Sequence, residues 1–195
     1  PTIVREIVAG KPATAIVASR NIKLAKYLQD IFMGETFRIY TSSDVVGVEL
    51  GGSLKNVIAI ACGISDGLGL GTNAKAAILS RGLAEISRLG MKMGAKAKTF
   101  SGLSGLGDLV TTCSSPYSRN RSVGEQIGRG KIMAEIRKHM QMVAEGVPTA
   151  KSAYMLSRKF SMEMPITEQV YFVLYKNKNP LLAVKELMSR KKKEE

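Results

Sequence analysis

The sequence predicts a mostly helical protein, in which an all-helical domain follows the end of an α/β domain. Two observations support this prediction. Residues 3–40 alternate between helical and strand patterns, and their strand-like runs are apolar and rich in β-branched residues. From residue 42 onward the apolar residues recur at helical spacing, and no convincing strand follows. We therefore predict an α/β remnant over residues 1–41 and a helical domain over residues 42–195.

The α/β remnant is predicted to contain four elements in the order helix, strand, helix, strand. The runs 13–19 and 36–40 are the strands, and the first of them is expected to be buried. A helix over 3–9 precedes the first strand, and a helix to about Phe32 separates the two. Two strands do not form a stable sheet alone. Because the chain also begins with Pro1 rather than Met, we expect that an amino-terminal part is missing.

Caps, glycines and prolines set the predicted boundaries of the helical domain. Ser42 or Ser43 is expected to cap a long first helix, and the run Gly67–Gly71 to end it. Three prolines are each expected at the first position of a helix: Pro148, Pro165 and Pro180. The predicted helices are 42–66, 72–93, 118–129, 131–140, 148–159, 165–176 and 180–190, with a glycine-rich segment at 99–112.

Composition excludes several classes of protein. With 45% hydrophobic and 23% charged residues, the 195-residue chain can bury a core and is not of the disordered class. No signal peptide is evident, and the longest apolar stretch, Val57–Ile64, is far shorter than the roughly 20 residues that span a bilayer. Cys62 and Cys113 are too few for a disulfide framework. These features predict a cytoplasmic protein without an integral membrane segment.

The net charge of +13 is compatible with nucleic acid, a membrane surface or anionic small molecules as partners. Most of the charge is spread at helix-surface spacing, and the one dense run, Arg190–Lys193, is interpreted as a solvated helix end. The interleaved aromatic and basic residues of a single-strand binder are missing. We therefore expect no nucleic-acid partner, while a basic helical module that binds polyanions stays open as an alternative.

Lys55 is the first candidate for chemistry. Gly51 and Gly52 lie one helical turn before it, and Ala59 lies one turn after it. Glycine inside a helix costs about 1 kcal/mol relative to alanine, so the close approach of another group is expected here. Lys55 would then rise from a groove of small residues and could transfer protons, although a surface lysine on an amphipathic helix is an equally simple interpretation.

Two further segments carry candidate polar groups. Asp108 follows a glycine-rich turn and could pair with a lysine across a site, or could simply cap a helix. Ser118 could cap a helix whose first turn holds Arg119, Asn120 and Arg121. Because arginine in a first turn is unfavourable to the helix dipole, this arrangement favours an anion site made of backbone N–H groups and a guanidinium. Glu145 precedes a predicted helix and is interpreted as a cap or turn residue.

Other kinds of site are disfavoured. The glycine runs 67–71 and 102–107 lack the spacing of a dinucleotide loop and do not join a strand to a helix. His139 is the only histidine, and it is interpreted as a surface residue near a helix end. With one histidine and two distant cysteines, no metal site is expected. No nucleophile elbow is present for a serine hydrolase.

Taken together, the motifs resemble those of the glycerol-3-phosphate dehydrogenases, along essentially the whole chain. The matching segments, in order, are Val48–Val57, Asp66–Gly71, Asn73–Ala77, Arg81–Glu85, Gly105–Cys113, Ser118–Arg121, Val143–Gly146 and Met164–Thr167. The segment Pro1–Thr2 resembles the end of the family's Gly-Pro-Ser/Thr turn. The resemblance implies that residues 1–41 end a Rossmann-type dinucleotide-binding domain. It also implies that the helical domain serves substrate binding and dimerisation.

The resemblance also implies a reaction and a set of site residues. The reaction is the interconversion of dihydroxyacetone phosphate and sn-glycerol 3-phosphate with NADPH or NADH, which feeds glycerophospholipid synthesis. Lys55 matches the catalytic lysine, the proton donor or acceptor at the C2 oxygen. The positions that match substrate contacts are Thr2, Lys55, Asp108, Ser118, Arg119 and Asn120. The positions that match cofactor contacts are Val4, where the family usually has alanine, Arg119, Val143 and Glu145.

One departure from the family pattern affects activity. The glycine-rich strand–turn–helix that holds the pyrophosphate does not occur in these residues, so we expect the 195-residue chain by itself to be inactive. A homodimer is expected for the intact enzyme. The alternative enzyme is another lysine-dependent dehydrogenase of the same two-domain architecture, such as a 3-hydroxy acid or 6-phosphogluconate dehydrogenase.

Overall fold

The computed structural model describes residues 1–138 and 143–192. Its first part consists of α1 (Val4–Val8), β1 (Ala13–Ala18), α2 (Ile22–Phe32) and β2 (Phe37–Ser42). The helices that follow are α3 (Val45–Gly67), α4 (Gly71–Lys92), α5 (Ala97–Ser101), α6 (Asp108–Ser114), α7 (Arg119–Gly128), α8 (Met133–Lys138), α9 (Gly146–Lys159), α10 (Pro165–Lys176) and α11 (Pro180–Met188). The prediction of a mostly helical chain that opens with an α/β piece is confirmed.

The two strands form a parallel pair, with Ala13 opposite Phe37 and Ala18 opposite Ser42. A parallel pair needs a crossover, which α2 supplies after its cap at Asn21. The expectation that β1 is buried was wrong, because every residue of β1 is only half-buried. Within the described residues the strand has one neighbour, β2, so its other edge remains uncovered. Only Ala25 of α2 is buried, for the same reason: few elements pack on this part.

Helix α3 is the core of the helical part, and α4, α6, α7, α9 and α10 all pack against it. Thirteen of its residues are buried, among them a continuous run from Asn56 to Ser65. By length and apolar character α3 also meets the requirements for a membrane span, but 56% of its apolar stretch is buried inside the protein. The core helix of a soluble protein has the same properties, so this is weak evidence for a membrane segment.

The cap of α3 differs from the predicted Ser42 or Ser43. Asp44 is the N-cap, and its carboxylate accepts hydrogen bonds from the N–H of Gly47 (3.0 Å), the N–H of Lys96 (2.8 Å) and the hydroxyl of Thr99 (2.5 Å). One carboxylate therefore joins the starts of α3 and α5. Burial acts to raise the pKa of Asp44, but these hydrogen bonds outweigh it and hold the pKa below its ordinary value.

Glycines set the spacing between α3 and α7. A Cβ at Gly63 would overlap the carbonyl oxygen of Arg121, and a Cβ at Gly124 would overlap the carbonyl oxygen of Ile60. The two backbones are therefore in direct contact, which requires glycine on both helices. This contact fixes the position of α7, and with it the start of that helix, relative to α3.

The glycine-rich segment 99–112 is more regular than the sequence suggested. After α5, residues Leu103–Gly107 form a π-helical turn that runs directly into α6. The expected flexible turn before Asp108 was therefore wrong. Gly105 makes the turn possible, because a Cβ there would overlap the backbone of Phe100. Wide turns of this kind are frequent at functional sites.

The starts of two further helices shift. Helix α4 begins at Gly71 rather than at 72 or 73, since the positive φ of 80° at Gly71 brings the chain into the helix. Helix α9 begins at Gly146, so Pro148 is in its first turn but is not its first residue. Pro165 and Pro180 do begin helices, as predicted. The predicted end of helix 131–140, with His139, and the last lysine of the run 190–193 lie outside the described residues.

A second buried carboxylate, Glu85 of α4, caps α10. It accepts hydrogen bonds from the N–H of Ile166 (2.7 Å) and from the N–H (3.1 Å) and hydroxyl (2.9 Å) of Thr167. Burial raises its pKa, while these hydrogen bonds lower it, and the net direction is upward. Glu85 thus satisfies the first backbone donors of α10 from inside the core.

Asp44→Ala is expected to lower the free energy of unfolding by about 1–3 kcal/mol near neutral pH, because it leaves buried donors without a partner. The folded pKa of Asp44 is depressed, so its contribution is present above the unfolded pKa of about 3.9 and is lost as the pH falls through the folded pKa. Urea denaturation should therefore show that the free energies of unfolding of Asp44→Ala and of the parent protein become equal at acidic pH. The control is Asp30→Ala at an exposed position of α2; an equal loss in both variants would contradict the proposed role of Asp44.

Candidate active site

Lys55 of α3 and Asp108 of α6 form an ion pair through Nζ and Oδ2. Both side chains are 18% exposed, so the pair is largely enclosed yet still reaches solvent. Gly51, one turn before Lys55, allows the π-helical turn to approach, because a Cβ there would overlap the carbonyl oxygen of Ser104. The predicted close approach of another group is therefore present at Gly51. At Gly52 it is not, since a Cβ there would meet no atom within 4 Å.

Asp108 does not act as a helix cap, which was the alternative interpretation of this residue. It is the first residue of α6 and has helical φ and ψ, and the residue at the N-cap position is Gly107. The structure instead brings Asp108 together with Lys55, 53 residues away. Pro1 lies on the other side of the carboxylate, with its nitrogen 4.0 Å from Oδ1. Thr2, which follows Pro1 in the chain, is exposed.

The start of α7 holds three of the predicted site residues. Ser118 is the N-cap, as predicted, and its hydroxyl accepts a hydrogen bond of 3.3 Å from the N–H of Arg121. Asn120 is buried, and its Oδ1 accepts a hydrogen bond of 2.8 Å from the N–H of Gly146. That bond fixes the orientation of the amide, so the remaining group of Asn120 is a donor, its NH2. The exposed Arg119 donates from Nη1 to the carbonyl of Val143 at 3.2 Å.

Arg121 has a structural partner that the sequence did not suggest. Its Nε lies 2.7 Å from Oδ2 of Asp66 at the end of α3, and Lys75 Nζ lies 2.8 Å from the same oxygen. The unfavourable position of this arginine near the positive end of α7 is therefore offset by an ion pair. Of the two first-turn arginines, only Arg119 remains as a candidate anion ligand.

Gly146 brings the start of α9 against both α3 and α7. A Cβ at this position would overlap the carbonyl oxygen of Asn56 and crowd Oδ1 of Asn120. Asn56 follows Lys55 in the chain, so the starts of α7 and α9 pack beside the turn of α3 that carries Lys55. Gly146 was not among the predicted site residues. Its glycine requirement depends on the packing of three helices and leaves no local signal in the sequence.

The predicted cofactor positions lie on exposed surface. Val4 is 71% exposed and Val143 is 67% exposed, and Glu145 and Arg119 are also exposed. Glu145 is at the N-cap position of α9 without a side-chain capping bond and lies in a turn, so of its two predicted roles the turn is present and the side-chain cap is not. Arg119 donates one N–H to the carbonyl of Val143, and its other guanidinium N–H groups are available to a phosphate. Arg119 therefore suits a phosphate of a nucleotide, Val4 and Val143 offer apolar surface, and Glu145 offers a hydrogen-bond acceptor.

The remaining nucleophilic groups do not form a site. Cys62 and Cys113 are both fully buried, and the hydrogen bond with Cys62, together with burial, raises the pKa of the Cys113 thiol. A protonated, inaccessible thiol is a poor nucleophile. In the described ranges 1–138 and 143–192, no cluster of three His, Cys, Asp or Glu side chains could hold a metal ion.

Gly146→Ala is expected to lower the free energy of unfolding by about 1–3 kcal/mol, because the added methyl overlaps backbone and core groups have to move. The matched control is Gly52→Ala, a helical glycine of α3 with free space around it. That change should stabilise the protein by about 0.5–1 kcal/mol. Urea denaturation of both variants measures the contrast, and a Gly146→Ala protein as stable as Gly52→Ala would refute the close contact at Asn56.

Comparison with known proteins agrees on one family. The family model described as the NAD-dependent glycerol-3-phosphate dehydrogenase C-terminus matches residues 44–185. A glycerol-3-phosphate dehydrogenase [NAD(P)+] of Syntrophotalea carbinolica is 55% identical over 195 residues, which are 100% of this chain and 59% of that relative. The protein of the same name from Halalkalibacterium halodurans is 51% identical over 100% of this chain and 56% of its own length.

Solved structures give the same result. The crystal structure of glycerol-3-phosphate dehydrogenase from Coxiella burnetii superposes with a TM-score of 0.94 at 43% identity, over 97% of this chain and 58% of that one. The Saccharomyces cerevisiae enzyme superposes with a TM-score of 0.86 at 29% identity, over 97% and 57%. The chain thus spans less than two thirds of the length of these relatives. It belongs to the NAD-dependent glycerol-3-phosphate dehydrogenase family and matches the carboxy-terminal part of that family.

Proposed function

We propose that this chain carries the catalytic and substrate-binding part of an oxidoreductase that interconverts dihydroxyacetone phosphate and sn-glycerol 3-phosphate with NADPH or NADH. The observation that carries the proposal is the Lys55–Asp108 ion pair, which is largely enclosed yet reaches solvent. An ammonium that keeps N–H donors beside a carboxylate suits proton transfer to a carbonyl oxygen, and the donors at the start of α7 suit a phosphate.

Lys55 is assigned the proton transfer. Reduction of the C2 carbonyl forms a new C–H bond and leaves a developing alkoxide on oxygen. The ammonium of Lys55 donates a hydrogen bond to that oxygen and then gives it a proton, which leaves a neutral amine to be reprotonated by solvent. In the reverse direction the neutral amine takes the proton from the C2 hydroxyl. NADPH or NADH, when bound, supplies or accepts the hydride.

Asp108 is assigned to substrate binding and to the orientation of Lys55. An ammonium has three N–H donors, and one of them is directed to Oδ2 of Asp108. The others remain for the C2 oxygen, and the carboxylate holds the amine in place. Thr2, which is exposed and follows Pro1 in the chain, is proposed as a second substrate contact from the α/β side.

Ser118, Arg119 and Asn120 are assigned to the phosphate of the substrate. The Asn120 amide is oriented as a donor by Gly146, and Arg119 supplies a guanidinium at the exposed start of α7. Together with free backbone N–H groups and the positive end of the helix dipole, these donors suit a dianion. Binding energy from the phosphate, remote from the reacting carbon, orients C2 toward Lys55.

The cofactor assignment rests on Val4, Arg119, Val143 and Glu145. These four exposed positions lie on α1, on α7 and before α9, and Arg119 donates a hydrogen bond to the carbonyl of Val143. The proposal extends to a cytoplasmic homodimer whose product, sn-glycerol 3-phosphate, feeds glycerophospholipid synthesis. Residues 1–41 are proposed as the end of the dinucleotide-binding domain and residues 42–195 as the substrate-binding domain.

The first test compares two proteins. The 195-residue chain by itself is expected to show no turnover, because its two-stranded sheet has no glycine-rich loop for the pyrophosphate. A fusion enzyme, in which the part of the Syntrophotalea carbinolica relative that precedes the matched residues is joined to Pro1, should oxidise NADPH or NADH when dihydroxyacetone phosphate is added. Turnover by the chain alone would contradict the first expectation. A fusion enzyme that reduces 3-oxo acids but not dihydroxyacetone phosphate would favour the other dehydrogenases.

The second test is Lys55→Ala in the fusion enzyme. Loss of the proton donor should lower kcat by about 10²–10⁴-fold, while glycerol 3-phosphate still binds in part. Lys75→Ala is the matched control, because Lys75 forms an ion pair with Asp66 and the two side chains are 22% and 21% exposed, close to the 18% of the Lys55 pair. Steady-state kinetics and a binding titration measure both. Near-normal turnover in Lys55→Ala would refute the assignment, as would an equal loss in the control.

A further inference from the structure

A cation–π contact joins α1 to the loop before α7. The guanidinium carbon of Arg5 lies 5.1 Å from the centre of the Tyr117 ring. This is within the distance of about 6 Å at which such contacts are attractive. The two residues lie 112 positions apart and belong to different parts of the fold, so the contact is not a consequence of local chain geometry.

Arg5 and Tyr117 are close in the chain to the proposed substrate contacts. Arg5 shares its segment with Thr2 and Val4, and Tyr117 directly precedes Ser118, the cap of α7. The contact therefore connects the α/β side with the proposed phosphate ligands on the helical side.

The Tyr117 loop is a closed turn, since Ser115 accepts a hydrogen bond from the Tyr117 N–H through Oγ (3.1 Å) and from the Ser118 N–H through its carbonyl (3.2 Å). Helix α1 has no buried residue in this chain, which spans 59% of the length of the Syntrophotalea carbinolica relative. The ring is thus presented by a fixed turn to the segment that carries Thr2 and Arg5.

We propose that Arg5 and Tyr117 are positioning residues that hold the Thr2 segment against the phosphate ligands of α7. The inference rests on the function proposed above. Removal of the contact should let the Thr2 segment move away from the substrate, so that substrate affinity falls while the chemistry at Lys55 is left intact. Because both side chains are exposed, the stability of the fold should hardly change.

A different role for Arg5, as a direct ligand of the phosphate, predicts a different pattern. In that case Arg5→Gln would raise the KM for dihydroxyacetone phosphate, but Tyr117→Leu would leave it unchanged. A positioning pair predicts instead that each single variant has the same effect and that the double variant adds nothing further. Tyr117→Phe keeps a ring under the guanidinium and should retain most of the affinity.

The experiment uses the fusion enzyme with Arg5→Gln, Tyr117→Leu, the double variant and Tyr117→Phe. The KM for dihydroxyacetone phosphate should rise about two- to fivefold in the first three, as expected for an exposed cation–π contact, with kcat and the melting temperature close to the parent values. Arg38→Gln is the matched control, because Arg38 lies 5.4 Å from the Tyr40 ring in another exposed cation–π contact on β2. Its KM should stay at the parent value.

Each result decides between the possibilities. Single variants with an unchanged KM, or effects that multiply in the double variant, would overturn the positioning role while leaving the proposed function in place. A lower melting temperature without a change in KM would show that the contact stabilises the fold but does not position the Thr2 segment, and would overturn the proposal. A parent fusion enzyme without turnover would remove the proposed function, and this inference with it.

Discussion

The close approach of the π-helical turn to α3 is the constraint on which the candidate site depends. Gly51 has no side chain, so the carbonyl of Ser104 can lie against the helix backbone, and Asp108 follows four residues later within reach of Lys55. A larger residue at position 51 would push the turn outward and separate the carboxylate from the amine. The ion pair is thus a consequence of backbone packing, because the contact at Gly51 fixes the distance between the backbones of Lys55 and Asp108.

The same principle recurs where α7 and α9 pack against α3. Gly63 and Gly124 bring α3 and α7 into backbone contact, and Gly146 brings the start of α9 onto Asn56 and Asn120. Glycine inside a helix costs about 1 kcal/mol relative to alanine, so each of these positions lowers the intrinsic stability of its helix. In return, the helix backbones are in direct contact, and α3, α7 and α9 have fixed relative positions, as proton transfer to a bound substrate requires.

These contacts also explain which features could be predicted from sequence. Helical spacing and prolines sufficed for α3, α10 and most other helices, and the glycines before Lys55 predicted a close backbone approach that is present at Gly51. The cap of α3 was misplaced because Ser42, Ser43 and Asp44 are all favourable N-cap residues. The contacts that distinguish Asp44, to Lys96 and Thr99, lie more than fifty residues away and leave no local signal. The burial of β1 could not be judged either, since it depends on neighbours that the pattern of one strand does not contain.

Comparison of the two ion pairs on α3 shows why pairing alone does not identify a catalytic lysine. Asp66 lies eleven residues after Lys55, about three turns along the same helix, and its ion pairs have nearly the same exposure. Its carboxylate is shared by two cations, Lys75 and Arg121, so both of its oxygens are used within the protein. At the Lys55 end, one oxygen of Asp108 meets Lys55 and the other lies 4.0 Å from the nitrogen of Pro1. Lys55 directs one hydrogen bond to that carboxylate, whereas Lys75 directs two to Asp66, so Lys55 keeps more donors for a ligand.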